Sequence, residues 1–150
     1  MKIDFVWFVN RRLQTRLAEY YFDERHFAPL SVAERAAFER RVTRACLRRR
    51  DAQAPLFEVG EQVVAYRRYA SLYVVIGMRK RENVLAALEF AQLLVEALTD
   101  VFGGHVSELD LLFAGDKVRS TLDAMLADGV VVETGRSRVV EPVKLIDALQ

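Results

Sequence analysis

Hydrophobic and polar positions alternate between two periods along this chain. The run Ile3–Val9 ("IDFVWFV") is almost continuously apolar, aromatic and β-branched, which predicts a strand covered on both faces. "NRRLQ" turns the chain, and "TRLAEYYF" alternates enough to form the return strand of a hairpin. After a loop holding Pro29, "SVAE" has the spacing of a capping box, with Ser31 as cap and Glu34 reaching back. The helix it opens is expected to run to about Arg49, with Phe38, Val42, Ala45 and Cys46 on one stripe. Three strand-like runs follow, Leu56–Val59, Gln62–Arg68 and Ala70–Met78, and Gly60 with Glu61 tightens the first turn. No Gly or Pro separates the second and third runs, so they join near Arg68–Tyr69 or form one bent strand.

The period then changes to that of helices. A long helix is expected over about Glu82–Phe102, with Leu85, Leu88, Ala91, Leu94, Val95, Leu98 and Phe102 inward, stopped by Gly103 and Gly104. Ser107 caps a short helix, "SELDLLF", that ends at Gly115. Asp116 caps another, with Val118, Leu122, Met125 and Leu126 inward and Gly129 closing it. "VVVET" reads as extended, and Pro142 as the first turn of a last short helix. Grouped antiparallel strands followed by grouped helices define an α+β class, here one domain over residues 1–150.

Composition narrows the function classes. Hydrophobic residues make up 52% of the 150 residues, enough for one sizeable core. The 22 basic and 21 acidic residues leave a net charge of +1, so any attraction to nucleic acid or anionic lipid must be local. Cys46 is the only cysteine, which points to a reducing compartment. The longest uncharged apolar run, "YASLYVVIGM", has ten residues, half of the roughly 20 that a membrane span needs.

The residues offer little catalytic chemistry. No glycine-rich phosphate loop is present, and Cys46, His26 and His105 lie far apart with no zinc spacing. Cys46 falls on an apolar stripe and reads as a buried, inert thiol. Glu108 and Asp110 sit in a first helical turn, where they complement the helix dipole. No cofactor and no enzymatic activity are expected. Seven arginines crowd the sixteen residues from Arg35 to Arg50, but without the exposed aromatics of a nucleic-acid site, so a solvated or protein-contact face is the reading.

"QTRLAEYY", "YRRYASLYVVIG", "ALEFAQLLVEAL", "VSELDLLFAGDKVRSTLDAML" and "GVVVET" occur in this order along nearly the whole chain. Together they resemble the sigma, or small, subunits of the heterotetrameric adaptor complexes that sort membrane cargo. The tail "VVVETGRSRVVEPVKLIDAL" is most similar to the sigma subunit of the fourth, clathrin-independent complex. The resemblance implies a longin-like fold, a five-stranded antiparallel sheet with helices on both faces. It implies a large adaptin subunit as direct partner, a second large chain and a medium chain beside it, and recruitment by an Arf-type GTPase. The location implied is cytoplasmic, peripheral on trans-Golgi or endosomal membranes, with no nucleic acid involved.

In several members of the family the sigma subunit also helps to bind acidic dileucine signals on cargo tails, and the resemblance implies such a pocket here. The matching pocket positions are Ala70, Leu72, Val95, Val106 and Leu111, with Arg16 as the cation for the acidic residue. Arg67 and Arg68 are the implied contacts with the large subunit. The chain departs from the family in having His105 before Val106, one extra residue in "FGGHV", a basic "MRKREN" loop and a longer "DERHFAPLSVAER" segment. A coatomer zeta-type chain, a tethering-complex subunit, or a basic-helix RNA- or lipid-binding module are the alternatives.

Overall fold

The apolar runs fold as five strands: β1 (Phe5–Asn10), β2 (Thr15–Tyr20), β3 (Leu56–Val59), β4 (Gln62–Tyr69) and β5 (Leu72–Arg79). They pair antiparallel in the order β2-β1-β5-β4-β3. The computed structural model describes residues 1–21, 31–49 and 54–149; His26, the Pro29 loop and the "DERHFAPL" extension lie outside them, as does Arg50. Helix α1 (Val32–Arg48) follows β2, and α2 (Val84–Phe102), α3 (Glu108–Phe113) and α4 (Gly115–Met125) follow β5. A two-residue pair of strands, β6 (Leu126–Ala127) and β7 (Val130–Val131), precedes the last helix, α5 (Arg136–Ala148).

Alternation along β1 and β5 divides the core into two layers. Val6, Phe8, Leu72, Val74, Ile76 and Met78 face α2, α4 and α5, together with Leu111 of α3. Phe5, Trp7, Val9, Tyr73 and Val75 face the other way, under Val42 and Cys46 of α1. Both faces are therefore covered, which explains why these strands read as unbroken apolar runs. The α1 layer is largely aromatic. Phe5 stacks on Trp7 at 4.0 Å between centroids, and Phe38 meets both rings edge-on at 5.8 and 5.6 Å. Gly77 leaves room for this packing: a Cβ there would lie 2.1 Å from the Phe5 ring. Burial pushes the Cys46 thiol up to about 12, as befits an inert core residue.

Local caps set the helix starts. The Ser31 side chain accepts from Glu34 N–H, Asn83 from Leu85 and Ala86, and Ser107 forms a full capping box with Asp110. Gly103, at φ 72°, supplies the left-handed cap that ends α2.

Several expectations are corrected. Leu85 points outward, and the α2 face turned to the sheet is Ala87, Phe90, Ala91, Leu94, Val95, Ala97, Leu98 and Val101. Gly115 begins α4 rather than ending α3, and Asp116 sits in the first turn without capping it. Pro142 lies in the middle of α5, which starts six residues earlier at Arg136. Its missing N–H leaves the carbonyl of Arg138 without the usual partner, a cost met by docking the helix through Val139, Val140 and Val143. β4 runs on to Tyr69, and the hairpin turns at Ala70–Ser71, closed by the pair Tyr69↔Leu72. Asp128 and Gly129 (φ 49° and 84°) form the β6–β7 turn, the left-handed pair of a type I′ hairpin.

Candidate functional site

Arg16 owes its position to an irregularity in the edge strand. Phe8 pairs with Leu17 and Val9 with Thr15, so Arg16 is the extra residue of a β-bulge. A bulge kinks its strand and re-aims the side chain. Here the guanidinium reaches α3, where its Nε lies 3.4 Å from Glu108 Oε2, and a second nitrogen donates to Gln14 Oε1 at 2.9 Å. Both members of this ion pair are about two-fifths exposed, so the pair contributes little to stability.

The apolar positions matched to a signal pocket join one end of the α2-side core. Leu72 and Val106 are fully buried, Leu111 is 4% exposed and Val95 7%. All four belong to one cluster with Tyr69 and Leu98. Ala70 is not among them. It sits in the hairpin turn, exposed, at φ 54°. A positive φ at the first central residue of a two-residue hairpin turn is a conformation that glycine or asparagine normally takes. Ala70 is therefore on the rim and not on the floor that its expected place in a strand implied.

Tyr69, which the sequence did not single out, ties this end together. Its hydroxyl shares a hydrogen bond with Thr99 Oγ1 (2.9 Å) and accepts from Val106 N–H (3.2 Å). The His105 ring meets Tyr69 edge-on at 5.5 Å. One phenol thus fixes the Gly103–Val106 segment, extra residue included, against β4 and α2. A tyrosine at the end of an apolar strand needing a partner for its hydroxyl is the only signal that marks it.

Arg67 and Arg68 leave opposite faces of β4, since strand neighbours alternate. Arg68 turns onto the α1 side, donating to Tyr73 Oη at 3.3 Å with its guanidinium 5.7 Å from the ring centroid. Arg67 shares the face of Val63, Ala65 and Tyr69 and is exposed. The pair forms no joint patch.

A larger surface feature lies on α3 and α5, which flank α4. Leu109, Leu112 and Phe113 are 64%, 74% and 80% exposed, and Leu145, Ile146 and Leu149 are 65%, 50% and 81% exposed. Single exposed leucines are unremarked in soluble proteins, but a group of three on each of two helices is a candidate interaction surface. In "SELDLLF" only Leu111 turns inward, an imbalance readable in the sequence once the helix is known to be a single short piece. Among the described residues, no group of three His, Cys, Asp or Glu is placed to hold a metal, and no helix is long and apolar enough to cross a membrane.

The fold, with these exposed apolar groups, suits a subunit of a larger assembly. The family model for the clathrin adaptor complex small chain matches residues 2–150, and the chain belongs to that family, a structural class of membrane-trafficking subunits. The chain is 41% identical to the AP-4 complex subunit sigma of Arabidopsis thaliana over 147 residues, covering 98% of each. It is 40% identical to the AP-4 complex subunit sigma-1 of Mus musculus over 147 residues, covering 98% of this chain and 97% of that one. Both are sigma subunits of the fourth complex, the subtype that the tail sequence resembles. In three dimensions it is similar to a chain of a homology model of the full-length AP-3 complex in a stretched open conformation, with TM-score 0.76 and 25% identity over 98% of this chain and 94% of that chain.

Proposed function

We propose that the chain serves as the sigma subunit of a fourth-type adaptor heterotetramer, packed directly on one large adaptin subunit with a second large chain and a medium chain alongside. In this reading the assembled complex, recruited by an Arf-type GTPase, acts at trans-Golgi or endosomal membranes. The observation that carries it is the exposed apolar surface of α3 and α5, which obligate interfaces resemble when cut open. Affinity purification of the tagged chain tests it. Large and medium adaptin chains are expected in stoichiometric amounts. Recovery without adaptin chains, or with coatomer or tethering subunits, overturns the proposal.

A second reading, an acidic dileucine pocket at the Arg16 end, is favoured by the bulge. It holds a cation over the rim of α3 whose one ion-pair partner among the described residues is the half-buried Glu108, which a cargo carboxylate can displace. Each signal leucine fully buried would contribute about 1.5–3 kcal/mol. Since Leu72, Val95, Val106 and Leu111 are buried here, those leucines must enter by repacking this end of the core. Substituting Leu72 or Val95 therefore disturbs the fold as well as the pocket. Arg16→Glu is the cleaner probe. Loss of binding of a dileucine cargo-tail peptide with large-subunit assembly intact supports the pocket, and unchanged binding removes Arg16 from it.

A further inference from the structure

The outer face of α1 carries an unusual concentration of uncompensated charge. Arg40, Arg44 and Arg48 recur at every fourth residue, all exposed, forming one stripe about 12 Å long. Their neighbours are occupied: Arg35 lies 4.3 Å from the Tyr20 ring centroid, Arg41 5.5 Å from that of Phe38, and Arg49 donates to the Ala54 carbonyl at 2.8 Å. Glu39, the nearest acidic side chain on the helix, is engaged by the Tyr20 hydroxyl. Among the described residues no carboxylate pairs with Arg40, Arg44 or Arg48. Like charges four residues apart weaken a helix by a few tenths of a kcal/mol per pair. The chain as a whole has a net charge of only +1, so the stripe is a local feature and not general basicity.

The stripe is also concave. Ala37 and Ala45 lie between the side chains of Arg40, Arg41, Arg44 and Arg48, which leaves a shallow, open trough along the helix surface. The small floor residues allow another backbone to approach closely, and the guanidinium forks match carboxylates in paired geometry. We propose that this face docks an acidic segment of a partner protein, with Glu or Asp spaced every fourth residue against the arginine stripe. Charge complementarity and the trough favour a protein segment over a lipid surface. A membrane-seated helix presents aromatic or long aliphatic side chains outward beside its basic residues, whereas the aromatic neighbour here, Phe38, is packed edge-on against Phe5 and Trp7 in the core. The face lies across the sheet from α3 and α5, so both surfaces can be engaged together.

The test uses the full-length chain and a fluorescein-labelled peptide, Glu-Ala-Ala-Ala repeated three times and closed by Glu, read by anisotropy. Saturable binding is expected, weakening as salt rises past about 0.1 M, where screening becomes short-ranged. The double variant Arg44→Glu/Arg48→Glu should weaken it about tenfold or more. Arg44→Lys/Arg48→Lys should retain part of the affinity, and Arg67→Glu, on the opposite sheet face, all of it. Far-UV circular dichroism checks that each variant is folded. Absence of peptide binding at low salt, or equal binding by the folded Glu double variant, overturns the proposal. So does capture by phosphatidylserine vesicles or an oligouridine RNA without peptide binding, which reassigns the face to lipid or RNA.

Discussion

The two sides of the sheet are finished differently. On one side a single helix, α1, seals an aromatic layer of Phe5, Trp7, Tyr20 and Phe38, and its outer surface is polar. On the other side four helices cover the sheet, yet leave six large apolar side chains of α3 and α5 in water. The first side carries a closed aromatic core inside and charge outside. The second has the composition of a core that continues into another molecule. Stability should accordingly rest on the buried layers of both sheet faces, and association on the α3–α5 surface.

The largest effect should come from breaking the closed side. Trp7 is fully buried, stacked on Phe5 and edge-on to Phe38. Trp7→Ala should cost about 3–5 kcal/mol, a large part of a domain's total stability. Urea unfolding monitored by circular dichroism checks it. A loss under about 1 kcal/mol would show that the aromatic layer does not hold this side together.

The open side should give the opposite result. Leu112→Ser/Phe113→Ser changes two side chains that are mostly exposed, so the stability of the lone chain should move by no more than about 0.5 kcal/mol. If these residues anchor the large subunit, the same change should weaken assembly by about 2 kcal/mol or more, as removal of buried apolar anchors does. Co-purification with the large subunit and unfolding of the chain alone, measured on one variant, separate the two quantities. Intact assembly would move the interface off α3.

The difference between the two sides also explains what the sequence revealed. The continuous apolar runs and the helical stripes placed all five sheet strands and the main helices, because burial on both faces leaves an unambiguous pattern. The resemblance motifs named Arg16, Leu72, Val95, Val106 and Leu111 as pocket positions; in the structure the four apolar ones lie in one buried cluster and Arg16 pairs with Glu108 of α3. What escaped were features set by tertiary context. The bulge at Arg16 is visible only as a register shift against β1, since "TRLAEY" alternates well enough without it. Ala70 was placed in a strand because nothing in "RRYASLY" signals a turn, and alanine at positive φ is a poor predictor of one. Helix α5 begins at Arg136, and the residue before it, Gly135, has no side chain to cap it, so Pro142 was the visible start signal. Leu109, Leu112 and Phe113 look like core until Leu111 is seen to be the one residue of α3 that turns inward.

The smallest effect concerns a carboxylate beneath the sheet's first strand. Asp4 is 1% exposed and accepts from Gln62 Nε2 at 3.0 Å, with its own N–H bonded to the Gly77 carbonyl. Burial raises its pKa above the usual 3.8, opposed by the Gln62 hydrogen bond and by the charges of Arg79 and Lys2, while Glu82 adds to the rise. A carboxyl raised in the folded state contributes stability that is fully present below its unfolded pKa and is lost as pH rises through the folded value. Asp4→Asn keeps an acceptor for Gln62 and removes the titration. The variant should therefore gain on the wild type as pH rises from the ordinary carboxylate range through the raised folded-state pKa of Asp4, and the two should run parallel above it. Urea midpoints measured across this range check the sign. If the wild type gained on the variant as pH rises, Arg79 and Lys2 would outweigh burial, and Asp4 would be a stabilising charge at the edge of the core.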